Sequence, residues 1–385
     1  MPTTPDVTQL RPGRFEQIAT RITFFVVGFS FASWAPVVPL VRTRIGLDTG
    51  QLGSLLLCLG LGAFAGMPIS GGLAARFGCR AVILVSGAVA LISLPLVETA
   101  ASSAVLAGGL LAFGAAVGTM DVVMNIQAVI VEKAAGRAMM SGFHGHYSVG
   151  GIAGAGAMTG LLLLGIPVFA AVLTIVAISA LLLTIAAKGL LPFGSEGEAR
   201  AFAVPRGRVL LIGALCFVMF LAEGSVLDWS GVLLNVVRRV DKSEAGLGYV
   251  AFSITMTAGR LLGDGIVRRL GPKAVLLLGG SLCAGGFGLA ALVPAWPVSI
   301  LGFAIVGAGA SNNVPVLFSA AGRQTSMPSN MAIAAVTSMG YAGLLAGPAL
   351  IGFVARAFTL PVSLLMVAAM VGTVVLSAKR VTAGA

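Results

Sequence analysis

AVLAGGLLAFGAAVGTMDVVMNIQAVIV, residues 104–131, is 28 residues of apolar, small and uncharged side chains broken by a single charge, Asp121. About 20 such residues make one helical crossing of a bilayer, so the run reads as a membrane span. Inserting an acid at the centre of a span costs roughly 2.5–3.5 kcal/mol. An acid kept at that depth lines a cavity or a proton path rather than facing lipid. Glu223 and Asp228 lie inside a second apolar run, between Arg208 and Arg238, whereas nearly every other charge stands at the edge of such a run. This distribution points to a transporter.

The rest of the chain has the same character. With 58% hydrophobic and only 10% charged residues and a mean hydropathy of +1.03, it matches no soluble domain of 385 residues. Charge-free stretches recur at 22–41, 49–75, 99–120, 138–187, 274–322, 324–355 and 357–378. The longest each need a break, and Gly165-Ile166-Pro167 and Pro294-Ala295-Trp296-Pro297 supply one, because proline cannot continue a helix. The spacing predicts twelve spans, beginning near 18, 49, 81, 103, 140, 167, 208, 244, 274, 297, 329 and 358. Of the 24 Lys and Arg, 18 fall with the termini and the loops on their side; Arg42, Arg44, Arg238, Arg239, Lys242 and Arg356 fall on the other. The bias places both termini in the cytoplasm, with the protein in a bacterial inner membrane. Headgroup attraction accounts for the net charge of +11 without nucleic acid. Residues 1–21 read as a cytoplasmic tail, not a signal peptide. Cys58, Cys79, Cys216 and Cys283 have no metal-site or disulfide spacing and read as small apolar side chains.

The polar stretch from Lys188 to Arg208 divides the chain in two. The expected organisation is an N-terminal tail (1–17), a six-helix bundle (18–188), a central loop (189–207), a second six-helix bundle (208–379) and a C-terminal tail (380–385). The halves echo each other. AAGR occurs at 134–137 and 320–323, GIAGAG from Gly151 matches GLLAGP from Gly343, and Trp34 in the first span matches Trp229 in the seventh. Six-helix repeats of this kind place a substrate site near the midplane where the repeats meet.

GGLAARFGCR (71–80) resembles the signature loop GxLaDrxGrk of the major facilitator superfamily, and GRLLGDGIVRRLGPK (259–273) resembles its second copy. The resemblance covers essentially the whole chain and implies an all-α polytopic membrane fold of twelve transmembrane helices in two six-helix bundles. Residues 121–151 and 222–234 look most like a bacterial subgroup related to fucose-permease-type sugar:proton symporters. In those symporters an acid of the fourth helix takes part in proton coupling, and Asp121 occupies the matching region. Their second acid, in helix 1, is missing here, so a two-acid mechanism has to draw on helix 7. The chain also departs from the signature: Ala75 and Arg268 stand where the family has an acid that helps lock the cytoplasmic gate. Arg76, Arg80, Arg260 and Asp264 are the candidate gate charges, with headgroup anchoring as the other reading.

Helical spacing sorts the polar residues further. Gly114, Gly118, Asp121 and Asn125 share one face of the fourth helix, which reads as a cavity-lining stripe. Asp121 and His146 are almost equally far from the turn near Lys133, so they lie at similar depth and a carboxylate–imidazole pair is open to them. Glu223 and Asp228 are five residues apart and about 140° around a helix at 100° per residue, so they cannot face one cavity unless the helix breaks near Gly224 and Ser225. Glu223 lies nearer the midplane and is favoured with Asp121 and His146 for proton coupling. Trp34, Ser30, Asn125, Tyr147, Asp228, Asn312, Asn313, Ser338 and Tyr341 are the candidate substrate contacts; interface anchoring is the alternative for the aromatics, and bend formation for Asn312.

The sequence has no Walker phosphate loop, no metal-ligand cluster and no nucleophile–base constellation, so ATP-driven transport, a cofactor and an enzymatic role are not expected. The expected function is secondary active transport of a small polar solute, such as a sugar or related metabolite, by alternating access with protons. The expected partners are that solute, the proton and the lipid bilayer, and the chain is read as a monomer. Proton-driven efflux is the alternative; GGIAGAGAMTG in the fifth span has the glycines of antiporters but not their proline, which tilts toward uptake.

Overall fold

A backbone inside lipid has to satisfy its own N–H and C=O groups, and continuous apolar runs do so as helices. The computed structural model describes residues 13–47, 49–194, 204–240 and 246–382, and among these it contains helices and turns but no strand. In chain order the helices are α1 (Arg14–Ala32), α2 (Val38–Ile45), α3 (Thr49–Glu98), α4 (Ser103–Ala135), α5 (Met140–Leu163), α6 (Val168–Ala186), α7 (Gly207–Val232), α8 (Leu247–Leu292), α9 (Trp296–Ala310), α10 (Asn313–Arg323), α11 (Ser329–Ala357) and α12 (Leu360–Thr382). Local chemistry sets several ends. The Ser102 hydroxyl caps α4 by accepting the Val105 N–H at 3.3 Å, and Gly136, left-handed at φ 62°, terminates it. The break between α5 and α6 comes at Gly165, with φ 76°, and Pro167, as the sequence anticipates.

The signature loops differ from expectation. Starts near 81 and 274 imply separate helices joined by loops, yet α3 and α8 are helical through most of both motifs. Each is interrupted by one residue, Gly78 (φ 80°, ψ 161°) and Gly271 (φ 78°, ψ 157°). Both sit in a backbone region open essentially to glycine alone. The hinge at Gly78 is also covered: the Cys79 N–H donates to the Phe193 carbonyl at 3.2 Å and the Arg80 N–H to the Leu191 carbonyl at 2.7 Å.

Nine helical runs among the described residues are long and apolar enough to cross a membrane. Two of them, Leu57–Glu98 with 42 residues and Leu247–Leu292 with 46, contain the glycine hinges and far exceed one crossing. Helix α5 is long enough at 24 residues but carries two histidines and many glycines, and is not among the nine.

The chain divides into two compact units, one of Met1–Met139 with His146–Phe202, the other of Met140–Gly145 with Ala203–Ala385. The division at Phe202 falls inside the expected central loop. Grouping of the first turn of α5, Met140–Gly145, with the second unit departs from a clean N-terminal bundle. In the first unit α3 packs along α4, and α1 lies against α4 and α6; in the second, α8 packs along α9 and α12, and α7 along α11.

Candidate functional site

In the first unit Asp121 is buried near the middle of α4. Asn125, one turn later, donates its side-chain N–H to the Asp121 backbone carbonyl at 2.9 Å, so it braces the helix rather than the carboxylate. Among the described residues nothing donates to, or forms an ion pair with, that carboxylate. The His146 pairing allowed by equal depth is therefore not made. The Asn125 Oδ1 is likewise buried without a partner among the described residues. Gly114 and Gly118 do not line a cavity: a methyl at Gly114 would run into the Leu59 carbonyl and one at Gly118 into Ala63, so this face of α4 seats α3. Glycines for close packing and glycines for a cavity look alike in sequence. Trp34 is buried; Tyr147 and His146 are half-buried. The Ser30 hydroxyl is 3.0 Å from that of Ser179, tying α1 to α6 beside a small, mostly apolar cavity that Val26, Val117 and Leu183 also line.

In the second unit Glu223 is not a lone acid. Arg260, a gate candidate in sequence, reaches across from α8 and donates from Nη2 to both carboxylate oxygens, at 3.1 and 3.2 Å. The side chains are only 11% and 21% exposed, so the pair sits largely out of water. Helix α7 runs unbroken through Gly224 and Ser225, contrary to the break that sequence allowed; its distortion comes later, as a π-turn at Leu233–Val237. Asp228 accordingly points away from Glu223 and is exposed. Asn312 lies at the break between α9 and α10, where it donates to the Gly259 carbonyl at 3.1 Å and to the Ser311 hydroxyl at 2.9 Å. Asn313 is fully buried, with its amide N–H on Met219 Sδ at 3.7 Å. The Oδ1 atoms of both asparagines are buried without a partner among the described residues. The Ser338 hydroxyl bonds back to the Ala334 carbonyl at 2.8 Å, and the Tyr341 ring lies 5.6 Å from that of Phe220.

The other gate candidates separate. Asp264 accepts the Gly142 N–H at 3.0 Å, at the start of α5, and a side chain at Gly142 would collide with that carboxylate. Arg80 donates to the Leu190 and Lys188 carbonyls, each at 3.0 Å, and so holds the segment after α6. Arg76 is exposed, over the Phe77 ring at 5.1 Å.

Three polar residues escaped the sequence reading. Gln127 bonds Thr20 at 3.1 Å and the Leu191 N–H at 3.1 Å, joining α4 to α1 and to the segment after α6. Its position six residues after Asp121, inside the same span, was the available signal. Glu98 is fully buried at the end of α3, with the Ser33 hydroxyl at 3.5 Å, and Arg44 donates to its backbone carbonyl at 3.0 Å. Standing at the edge of a charge-free run, it passes for a boundary charge. Arg238 donates to the Ala290 and Ala291 carbonyls at 2.8 and 2.9 Å.

Comparison with known proteins gives this arrangement a family. An uncharacterised MFS-type transporter of Yersinia pestis, MFS being the major facilitator superfamily, is 52% identical over 97% of this chain and 97% of its own length. The membrane protein MosC of Rhizobium meliloti is 33% identical over 93% of this chain and 88% of its own. Among solved structures, the E. coli fucose:proton symporter FucP matches with a TM-score of 0.79 at 16% identity, over 96% of this chain and 98% of FucP. The proton:xylose symporter XylE matches with a TM-score of 0.68 at 12% identity, over 95% of each chain. At such identities the structural matches speak for the fold alone. No family model matches the chain. The length and identity of the sequence matches, together with the shared helical fold, make this chain a multi-pass transporter of the major facilitator superfamily, not an enzyme.

Proposed function

We propose that the protein is a secondary transporter of the bacterial inner membrane that moves a small polar solute, a sugar or related metabolite, by alternating access coupled to protons. Counting each hinged run as two crossings and adding α5 gives twelve spans, and the basic-residue bias puts both termini in the cytoplasm. The observation that carries the reading is Asp121: a buried carboxyl with no donor or counter-charge among the described residues is a group whose charge depends on a proton. Glu223 is the second coupling group, answering to Arg260. Two of the solved structures with this fold are sugar:proton symporters, which is the precedent for that substrate class. Asn125, Tyr147, Trp34, Asn312, Asn313 and Tyr341 are the proposed solute contacts, with Ser338 and Ser30 engaged mainly within their own unit. Asp264 on the Gly142 amide supplies the gate acid that Ala75 and Arg268 leave out. The chain works as a monomer.

The test is uptake into proteoliposomes. An inward proton gradient is expected to drive accumulation of a panel solute by the native protein. Asp121→Asn is expected to lose accumulation while keeping solute exchange at equal concentrations. Undiminished gradient-driven accumulation by Asp121→Asn overturns the coupling assignment, and accumulation only under the reverse gradient makes the protein an exporter.

A further inference from the structure

We propose that Glu98 is a further proton-binding group of the first unit, a neutral acid whose O–H fastens the end of α3 to the end of α1, so that a proton holds the joint between α1 and α2. Glu98 is the last residue of α3 and is fully buried. Its Oε1 lies 3.5 Å from the Ser33 hydroxyl oxygen. That hydroxyl has one hydrogen, and the Ser30 carbonyl, at 2.8 Å, takes it. What Ser33 can still offer is a lone pair, which calls for a donor. A carboxyl group donates only when it is protonated. The short contact thus decides the direction of the long one: the Glu98 O–H donates to Ser33 Oγ.

The surroundings agree. Oε2 is buried without a partner among the described residues, so an ionised Glu98 would keep both oxygens out of water with no hydrogen to share, a costly burial. Glu98 also ends a helix, where the partial negative charge of the last carbonyls disfavours a carboxylate. The guanidinium at hand, Arg44 in α2, is engaged on the Glu98 and Ala100 backbone carbonyls, at 3.0 and 3.5 Å, and among the described residues no ion pair reaches the carboxyl. The other helices packed around this end bring no acid or base: residues 22–41, 81–97, 99–120 and 168–186, in α1, α3, α4 and α6, are uncharged. Asp121 lies roughly 27 Å along α4 from the end where Glu98 sits, so the two acids titrate apart. Ser33 is the residue on which α1 ends, and the turn Ala35–Val37 leads from there into α2. Losing the proton deletes the bond across this joint and leaves bare acceptors that have to be wetted. The joint therefore loosens as pH rises and tightens as it falls. It does so whether or not Asp121 couples transport.

The experiment uses the full chain in one detergent and follows the infrared C=O band of a protonated carboxyl, as the difference between the native protein and Glu98→Gln. The band is expected at about pH 6 and is expected to fade by about pH 9, the range that a buried carboxyl reaches. Ser33→Ala separates the two directions of the contact. With Glu98 as donor, loss of the acceptor releases the proton at a pH lower by about half to one unit; with Ser33 donating to a carboxylate, the release would move upward. This variant leaves Glu98 in place, so its pH-difference spectra against the native protein keep the test decisive if Glu98→Gln does not fold. The joint is read from Trp34, buried next to Ser33 in the chain, in a Trp229→Phe/Trp296→Phe background. Its emission is expected to move to longer wavelength across the same pH range, and to stay in place when Glu98→Gln, whose amide keeps a donor for Ser33, is added. Absence of the band at about pH 6, or an upward shift with Ser33→Ala, overturns the proposal. A band that titrates while the Trp34 emission does not follow overturns it too, since the acid then holds no joint. None of these readouts needs a solute, so their failure leaves the transport reading standing, and undiminished accumulation by Asp121→Asn leaves them untouched.

Discussion

Asp121 and Glu223 look equivalent in the sequence, as acids inside apolar runs, and the structure gives them opposite surroundings. Asp121 meets no donor or counter-charge among the described residues, while Glu223 faces a guanidinium. Nothing in the sequence joins Glu223 to Arg260, because periodicity shows which residues share a face of one helix but not which faces of two helices meet. Arg260 therefore passes for a helix-end charge. The energetics of a largely dry ion pair give a test. Removing one partner strands the other, so Arg260→Met is expected to cost about 3–5 kcal/mol, whereas the double variant Glu223→Leu/Arg260→Met is expected to lie close to the native protein. Unfolding midpoints of the singles and the double in one detergent check the cycle. Equal, additive losses would mean that the two side chains do not depend on each other.

Among the elements, the two hinged helices show how far a motif can be read. The sequence marks both signature segments and dictates glycine at both hinges, but reads a loop where the structure has helix on either side of one residue. The reason is that a single glycine-only conformation redirects the chain with no loop at all. The two hinges share their dihedral angles and differ in surroundings: an added methyl would strike the Pro192 carbonyl at Gly78 and meet nothing within 4 Å at Gly271. Gly271→Ala is thus expected to cost only the backbone strain, about 1–3 kcal/mol, and Gly78→Ala distinctly more. Thermal unfolding of both variants in the same detergent measures the difference, and a larger loss at Gly271 would contradict it. The straight course of α7 through Gly224 was not legible either, since a Gly-Ser step permits a break without requiring one.

At the scale of the whole molecule, the division of the chain into two parts was the most legible property. Span lengths, the breaks at Gly165 and Pro294, the AAGR echoes and the paired tryptophans all come from local composition, which a single sequence displays directly. What stayed hidden are the long-range polar ties. In one unit Arg44, in α2, donates to the carbonyls of Glu98 and Ala100 where α3 ends; in the other Arg238, after α7, does the same to Ala290 and Ala291 near the end of α8. Each guanidinium satisfies carbonyls that a finishing helix leaves open. In the sequence both are simply basic residues at the edge of a span. These clasps have a consequence for how the gene can be cut. Since each half carries its own clasp, a coding sequence severed between Gly194 and Val204 and expressed as two polypeptides is expected to give two fragments that each reach the membrane folded. Arg44→Ala and Arg238→Ala would each then deplete only the fragment that bears the change, so every half carries its own quality mark into the membrane.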